Sequence, residues 1–389
     1  MKLFLIVKRV VVVLFGIGLA ACQAAPAIFL PTPADPYETA PAPKSILPAP
    51  SQTPTRTPFQ PLPTTAPPSP TITASHTPQP PAEITLVFTG VIVPARCVQA
   101  AIDARGSADY LFDEVRSILA EADLAVGVLN ATLSDYPPHT GCRSTYVLVG
   151  GSSNADALAR ASFDVMSVAT NHIKNCGIGD CGNRAFFDTL DNLRRVGILP
   201  VGAGANLAEA LQPVIVTVQG VRFGFVSLGL LEPLAFASQD TPGIAVLNEE
   251  NLRAAIAAAR QEAQVVIAMP HMGPEDSPHP TEYQQEFARL AVEAGADLVV
   301  GNHTHVVQGT QQINGVQVLY GLGNFVFDQD WDLAHQQGVI AVVRFRGPDY
   351  IDYELIPTHV DGDGTVHLAA GDEAAQVLQR IQGASLSPP

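Results

Sequence analysis

Between Ile84 and Gly347 short apolar runs alternate with longer amphipathic segments, and few folds accommodate that alternation. The runs ITLVFTG (84–90), DLAVGVLN (123–130), FDVMSVAT (163–170), VVIAMP (265–270), ADLVVG (296–301), VQVLYGLG (316–323) and GVIAVVRFRG (338–347) read as strands, the last closing the core. Helices are predicted over 184–197, 248–263 and 281–295, with Gly197 and Gly295 as stops. Residues 214–229 read as a hairpin turning at Gln219-Gly220, so mixed sheets are expected rather than purely parallel ones. With 47% hydrophobic residues the chain can fill a sizeable core. The expected fold is α/β: one layered domain over residues 83–389, with mixed β-sheets flanked by helices.

The residues before it are of another kind. Lys2, Lys8 and Arg9 precede an apolar run from Val10 to Ala21, too short for a membrane span and ending in small residues. Residues 1–21 therefore read as a signal peptide, and Leu19-Ala20-Ala21-Cys22 resembles a bacterial lipobox, which implies cleavage before Cys22 and lipidation of its thiol. Residues 22–82 hold more than half of the 33 prolines, interleaved with Thr, Ser and Ala, and are expected to form a disordered stalk. The expected location is the extracytoplasmic face of the cell membrane, reached through the N-terminal lipid anchor. The net charge of -16 becomes more negative once the three basic groups of the signal are lost, which argues against nucleic acid as a partner.

Lipidation of Cys22 would leave Cys97, Cys142, Cys176 and Cys181, an even number that suits disulfides in an oxidising compartment. The short NCGIGDC segment favours Cys176–Cys181, with Cys97–Cys142 as the other pair, although four cysteines allow three pairings.

The unusual polar residues stand at strand ends: Asn171-His172, His271, His303 with His305, and Asn324. Ligands of open α/β sheets bind at the carboxyl ends of strands, so these groups are expected to converge. In an extended chain His303 and His305, two apart, would point the same way. Neutral imidazoles with amide or carboxylate oxygens suit Zn, Mn or Fe rather than Ca or Mg.

These blocks resemble the CapA / poly-γ-glutamate capsule synthesis family, whose fold is similar to that of the calcineurin-like metallophosphatases. TNH (170–172), HMGPE (271–275), GNHTHVVQG (301–309) and YGLGNFVFD (320–328) look like its later motifs, in its order. The resemblance implies Asn171, His271 and His303 as ligands of one metal, His305 at a second position, and His172 as general acid. Three departures stand against a metal pair. Gly90 is followed by Val91 where the family has Asp, and Ala131 is read at the acidic position of the next block, while Asn175 replaces a later Asp. Neither Val nor Ala offers a donor atom; Asp103 and Asp135 are the local substitutes. The expected cofactor is one divalent metal, Mn or Zn, or none. The implied role is in synthesis, attachment or export of an anionic surface polymer, alone or with capsule synthesis proteins, through binding or scaffolding. The alternative is an active metal-dependent phosphoesterase-like hydrolase acting on an anionic substrate. Arg96, Arg143, Arg184, Arg194 and Arg195 are candidates for a basic groove.

Overall fold

The structure, a computed structural model, describes residues 82–136, 138–174 and 181–388. The signal peptide, Cys22, the stalk, Asn175 and Cys176 lie outside the described residues, as does the side chain of Cys181.

Two mixed sheets carry the domain. The first has the strand order Val366–Leu368, Asp349–Val360, Gln337–Arg346, Glu83–Ile92, Leu124–Leu129, Val165–Ser167, Leu199–Val201. Its last four strands are parallel, and the strands on the other side of Glu83–Ile92 run antiparallel. The second has the order Thr310–Ile313, Val316–Leu319, Leu298–Val300, Val265–His271, Val221–Gly229, Val214–Val218, parallel in its centre. The expected hairpin is present: Val218 pairs with Val221 around Gln219 and Gly220, both at positive φ, which matches the twist of the paired strands.

The sheets pack face to face over Leu86, Phe88, Phe223, Phe225, Ile267 and Phe345. Phe223 and Phe345 meet edge to face at 5.4 Å. Helices cover the outer faces: Ile102 and Phe186 pack on the first sheet, Leu252, Ile256 and Ala291 on the second. Burial on both faces is why the central strands are apolar without alternation. Ser167 and Ser227 share a hydrogen bond of 2.7 Å across the inter-sheet layer.

The strand at 338–347 does not close the core, as its run suggests. After it come Asp349–Val360 and Val366–Leu368, and then the helix Gly371–Ala384, whose Val377 and Ile381 join the inter-sheet cluster.

Two local devices shape the sheet edge where the site lies. The end of Glu83–Ile92 is joined to the segment around Asn324: Val91 pairs with Asn324, and Val91 N donates to Gly323 O at 3.0 Å. Gly90 is needed there, because a Cβ would lie 2.2 Å from Gly323 O. The helix Glu282–Ala294 starts with a capping box between Thr281 and Gln284. Gln284 Nε2 also donates to Gln308 Oε1 at 2.8 Å, and a Cβ on Gly273 (φ 109°) would strike it at 2.6 Å.

Candidate functional site

The carboxyl ends of the central strands of both sheets meet at one edge. Asn130 follows Leu124–Leu129, and Asn171-His172 follow Val165–Ser167. From the other sheet come His271, ending Val265–His271, and Asn302, His303 and His305 after Leu298–Val300. His271 Nε2 lies 2.9 Å from Asn171 Oδ1 and 3.1 Å from His303 Nδ1. The other His271 nitrogen, Nδ1, donates to Asn302 Oδ1, which turns the Nε2 lone pair toward the point where all three groups converge. His305 Nδ1 is held at 2.8 Å by Asn324 Oδ1, and the amide of Asn324 donates to Gln329 Oε1 (2.9 Å) and to His335 O (3.0 Å).

The extended-chain argument for His303 and His305 does not hold. Their strand ends at Val300, and His303 (φ 108°) and His305 (φ 60°) both adopt left-handed backbone conformations. Turns bring their rings to 5.8 Å, at a conformational cost of the kind that clusters at functional sites.

The imidazoles are buried and uncharged at neutral pH. Burial lowers the pKa of His271 to about 3, with the hydrogen bond to Asn302 opposing it. Burial takes His172 and His305 to about 4, and His303 well below its ordinary value. His172 hydrogen-bonds to the Tyr146 backbone, lies parallel to the Tyr146 ring at 6.2 Å, and donates its own N–H to Asn130 Oδ1 at 3.0 Å.

Asn130 is the residue at the second strand end that faces this cluster; Ala131 is buried in the apolar core. The position read as acidic is thus better assigned one residue earlier, to a carboxamide whose Nδ2 has no hydrogen-bond partner among the described residues. Val91 is buried in the same apolar cluster. Asp103 and Asp135 do not replace the missing carboxylates. Asp135 accepts from Ser152, Asp103 from Gln99, and both line a separate cavity with His139 and Arg160.

Glu275 brings one carboxylate near the histidines. Ligand atoms of Glu275, His303 and His305 lie within 4.8 Å of one another. Burial, and then Asp276, raise its pKa. Its signal was in the sequence, as the glutamate of HMGPE. The donors therefore fit one divalent ion better than two: neutral nitrogens and a carboxamide oxygen at one point, with a single carboxylate beside them.

Above the cluster lies a cavity of about 310 Å³ lined by Ser144, Thr145, Tyr146, His172, Glu275, Asp276, His305, Gln329 and Trp331, among others. Of the five arginines considered for a groove only Arg96 reaches it, and it is committed elsewhere. Arg96 forms a buried ion pair with Asp328 and donates to Thr145 O at 3.2 Å. Arg194 pairs with Asp191 and Glu209, Arg195 with Asp156, and Arg184 lies over the Tyr136 ring. Cys97 and Cys142 are joined by a disulfide, which ties the segment leading to Thr145 and Tyr146 to the helix Arg96–Arg105.

Several known proteins are similar to this chain. The Bacillus anthracis "Capsule biosynthesis protein CapA" is 30% identical over 288 residues, covering 72% of this chain and 68% of that one. The Bacillus subtilis "PGA biosynthesis protein CapA" is 28% identical, covering 65% and 66% respectively, so the chain spans about two thirds of the length of these relatives. A solved phosphatase from Mycoplasma pneumoniae aligns at a TM-score of 0.45 and 11% identity, covering 71% of this chain and 94% of its own. The family described as "Bacterial capsule synthesis protein PGA_cap" matches residues 85–329, most of the folded region and all four later motif blocks, and the chain belongs to that family.

Proposed function

We propose that the protein is an exported, lipid-anchored factor in poly-γ-glutamate or capsule formation, and that its strand-end cluster binds rather than hydrolyses. Membership of the capsule synthesis family and the two CapA relatives support the pathway. One observation carries the choice of binding: Val91 and Asn130 stand at the first two strand ends, where carboxylates would be needed to hold two dications together. The cluster that remains is neutral apart from Glu275. The lipid anchor and stalk rest on the Cys22 lipobox and on the composition of residues 22–82.

A second reading is favoured by Glu275, His303 and His305, which with His271 and Asn171 would hold one Mn or Zn. Such an ion would polarise a bound water or an anionic oxygen. In that reading Asn302 fixes the tautomer of His271, Asn324 fixes His305, and His172 is the group nearest to serving as proton donor.

Two measurements separate the readings. Deletion of the gene should abolish or reduce the surface polymer, with restoration by the wild-type gene. Purified protein supplied with Mn or Zn should show no turnover of a generic nitrophenyl phosphodiester. Turnover that disappears in His271→Ala and His303→Ala would establish the hydrolase instead, and unchanged polymer in the deletion strain would remove the role in capsule formation.

A further inference from the structure

The cavity above the cluster has a chemistry that does not suit the body of an anionic polymer. Its walls carry Glu275 and Asp276, and its only guanidinium among the described residues, Arg96, is spent on Asp328 and Thr145 O. Asp276 accepts from His335 Nε2 at 2.7 Å, whereas Glu275 has no hydrogen-bond partner among the described residues and faces the cavity. A run of glutamate carboxylates would meet two like charges there and no free cation.

The same cavity has aromatic walls. Tyr146 and Trp331 are 77% and 62% exposed, the most exposed aromatic residues among those described, and both line it together with Phe327. Tyr146 is held in place by His172 beneath its ring, by Arg96 on the neighbouring carbonyl of Thr145, and by the Cys97–Cys142 tie. Trp331 packs at 5.1 Å from His335, the partner of Asp276. Electron-rich ring faces beside carboxylates, around a volume of about 310 Å³, suit an organic cation.

We propose that this cavity receives a primary ammonium group, and that its ligand is the free amino terminus of a γ-linked glutamate chain. The proposal rests on the functional reading above. It lessens the charge conflict, because such a chain is anionic along its length, whereas at that end its one positive group shares a carbon with the first α-carboxylate and the end is neutral overall. Glu275 pairs with the ammonium, while Tyr146 and Trp331 cover its flanks and the first residue. The α-carboxylate of that first residue points to the cavity mouth, and the carboxylates that follow remain outside, in solvent. The protein would then recognise chain ends rather than chain length.

Trp331 is the only tryptophan, so its fluorescence reports on this cavity alone. The full chain is titrated, in the presence of chelator and at fixed salt, with a short γ-linked glutamate oligomer. The same oligomer with its amine acetylated and a neutral amino-sugar-derived oligosaccharide serve as the other arms. A saturable change with the free-amine oligomer is expected, with binding of the acetylated form weaker by about tenfold or more. Glu275→Gln should weaken the free-amine oligomer by about tenfold and should not weaken the acetylated one, whose repulsion by the cavity it relieves. The Glu275 side chain supports no other group, so this variant should fold, and its circular dichroism checks that it has.

Equal binding of both oligomers, saturation by the saccharide alone, or no response in any arm would overturn the proposal. Any of these would leave the deletion result intact, whereas loss of that result would remove the functional reading whatever the titration shows.

Discussion

His271 Nε2 and Asn171 Oδ1 meet at 2.9 Å, and this contact joins the carboxyl end of one sheet to that of the other. Neither residue is near the other in sequence; the two sheets must be packed before the pair exists. The site is therefore a product of the tertiary fold, and its chemistry can be tested against the stability of that fold.

Placing carboxylates at the first two strand ends tests the proposed lack of a metal pair. Val91→Asp with Asn130→Glu is expected to lower stability in chelator, because Val91 is buried among apolar side chains. Mn or Zn should recover it by binding only the folded state. Elemental analysis should give at most one loosely held ion for the unmodified protein and more for the double variant. Two tightly held ions in the unmodified protein would refute the proposed lack of a metal pair.

Asn324→Ala should cost about 2–3 kcal/mol. It removes the acceptor for His305 Nδ1 and two donated hydrogen bonds in a buried environment. Urea denaturation measures it, and a change of a few tenths would show that solvent replaces these bonds.

Asp328→Ala should be more severe, about 3–5 kcal/mol, because it leaves Arg96 buried without its counter-charge. Side-chain exposure of 10% and 5% makes this a buried pair. The paired change Arg96→Met with Asp328→Leu should cost less than Asp328→Ala alone, a comparison made in the same denaturation series.

The pH dependence of stability should carry a contribution from His367. Its pKa is raised by the hydrogen bond to Glu114, then, against the opposing effect of burial, by Asp361. A raised folded pKa means this contribution is fully present below the unfolded value of about 6.5 and is lost as pH rises through the folded value. Thermal unfolding followed from pH 6 upward should show a shallower decline in His367→Gln. Identical slopes in both proteins would dismiss the contribution. The exposure of both partners keeps it small.

Cys22→Ser should abolish acyl labelling and leave unprocessed precursor or released protein. Labelling that persists in this variant would remove the lipid anchor from the functional reading.

Much of the fold was legible because the central strands are covered on both faces. Such strands must be apolar throughout, and Glu83–Ile92, Leu124–Leu129 and Val265–His271 stand out for that reason. Asp349–Val360 was not legible. It lies toward the edge of its sheet, is only partly buried, and contains Asp352, Glu354 and Pro357, which break the apolar signal. At the site, residue types revealed Asn171, His271, His303 and His305, but not how they converge. The left-handed turns at His303 and His305 and the path that brings in Glu275 arise from loop geometry. Asn130 was passed over for Ala131 because the end of a strand is uncertain by a residue, and one residue reverses the direction of a side chain.

The Cys97–Cys142 bond gives the site a history as well as a shape. Arg96 and the disulfide reach the same segment from one helix, so the wall bearing Tyr146 is fastened by hydrogen bonds that form with the fold, from Arg96 and His172, and by one covalent bond that awaits an oxidant. A chain folded where thiols stay reduced would carry its histidine cluster complete while its wall was held by Arg96 and His172 without the covalent tie. Assembly of the cluster and completion of its entrance are thus separate events, and the second can be assigned to the compartment in which the protein matures.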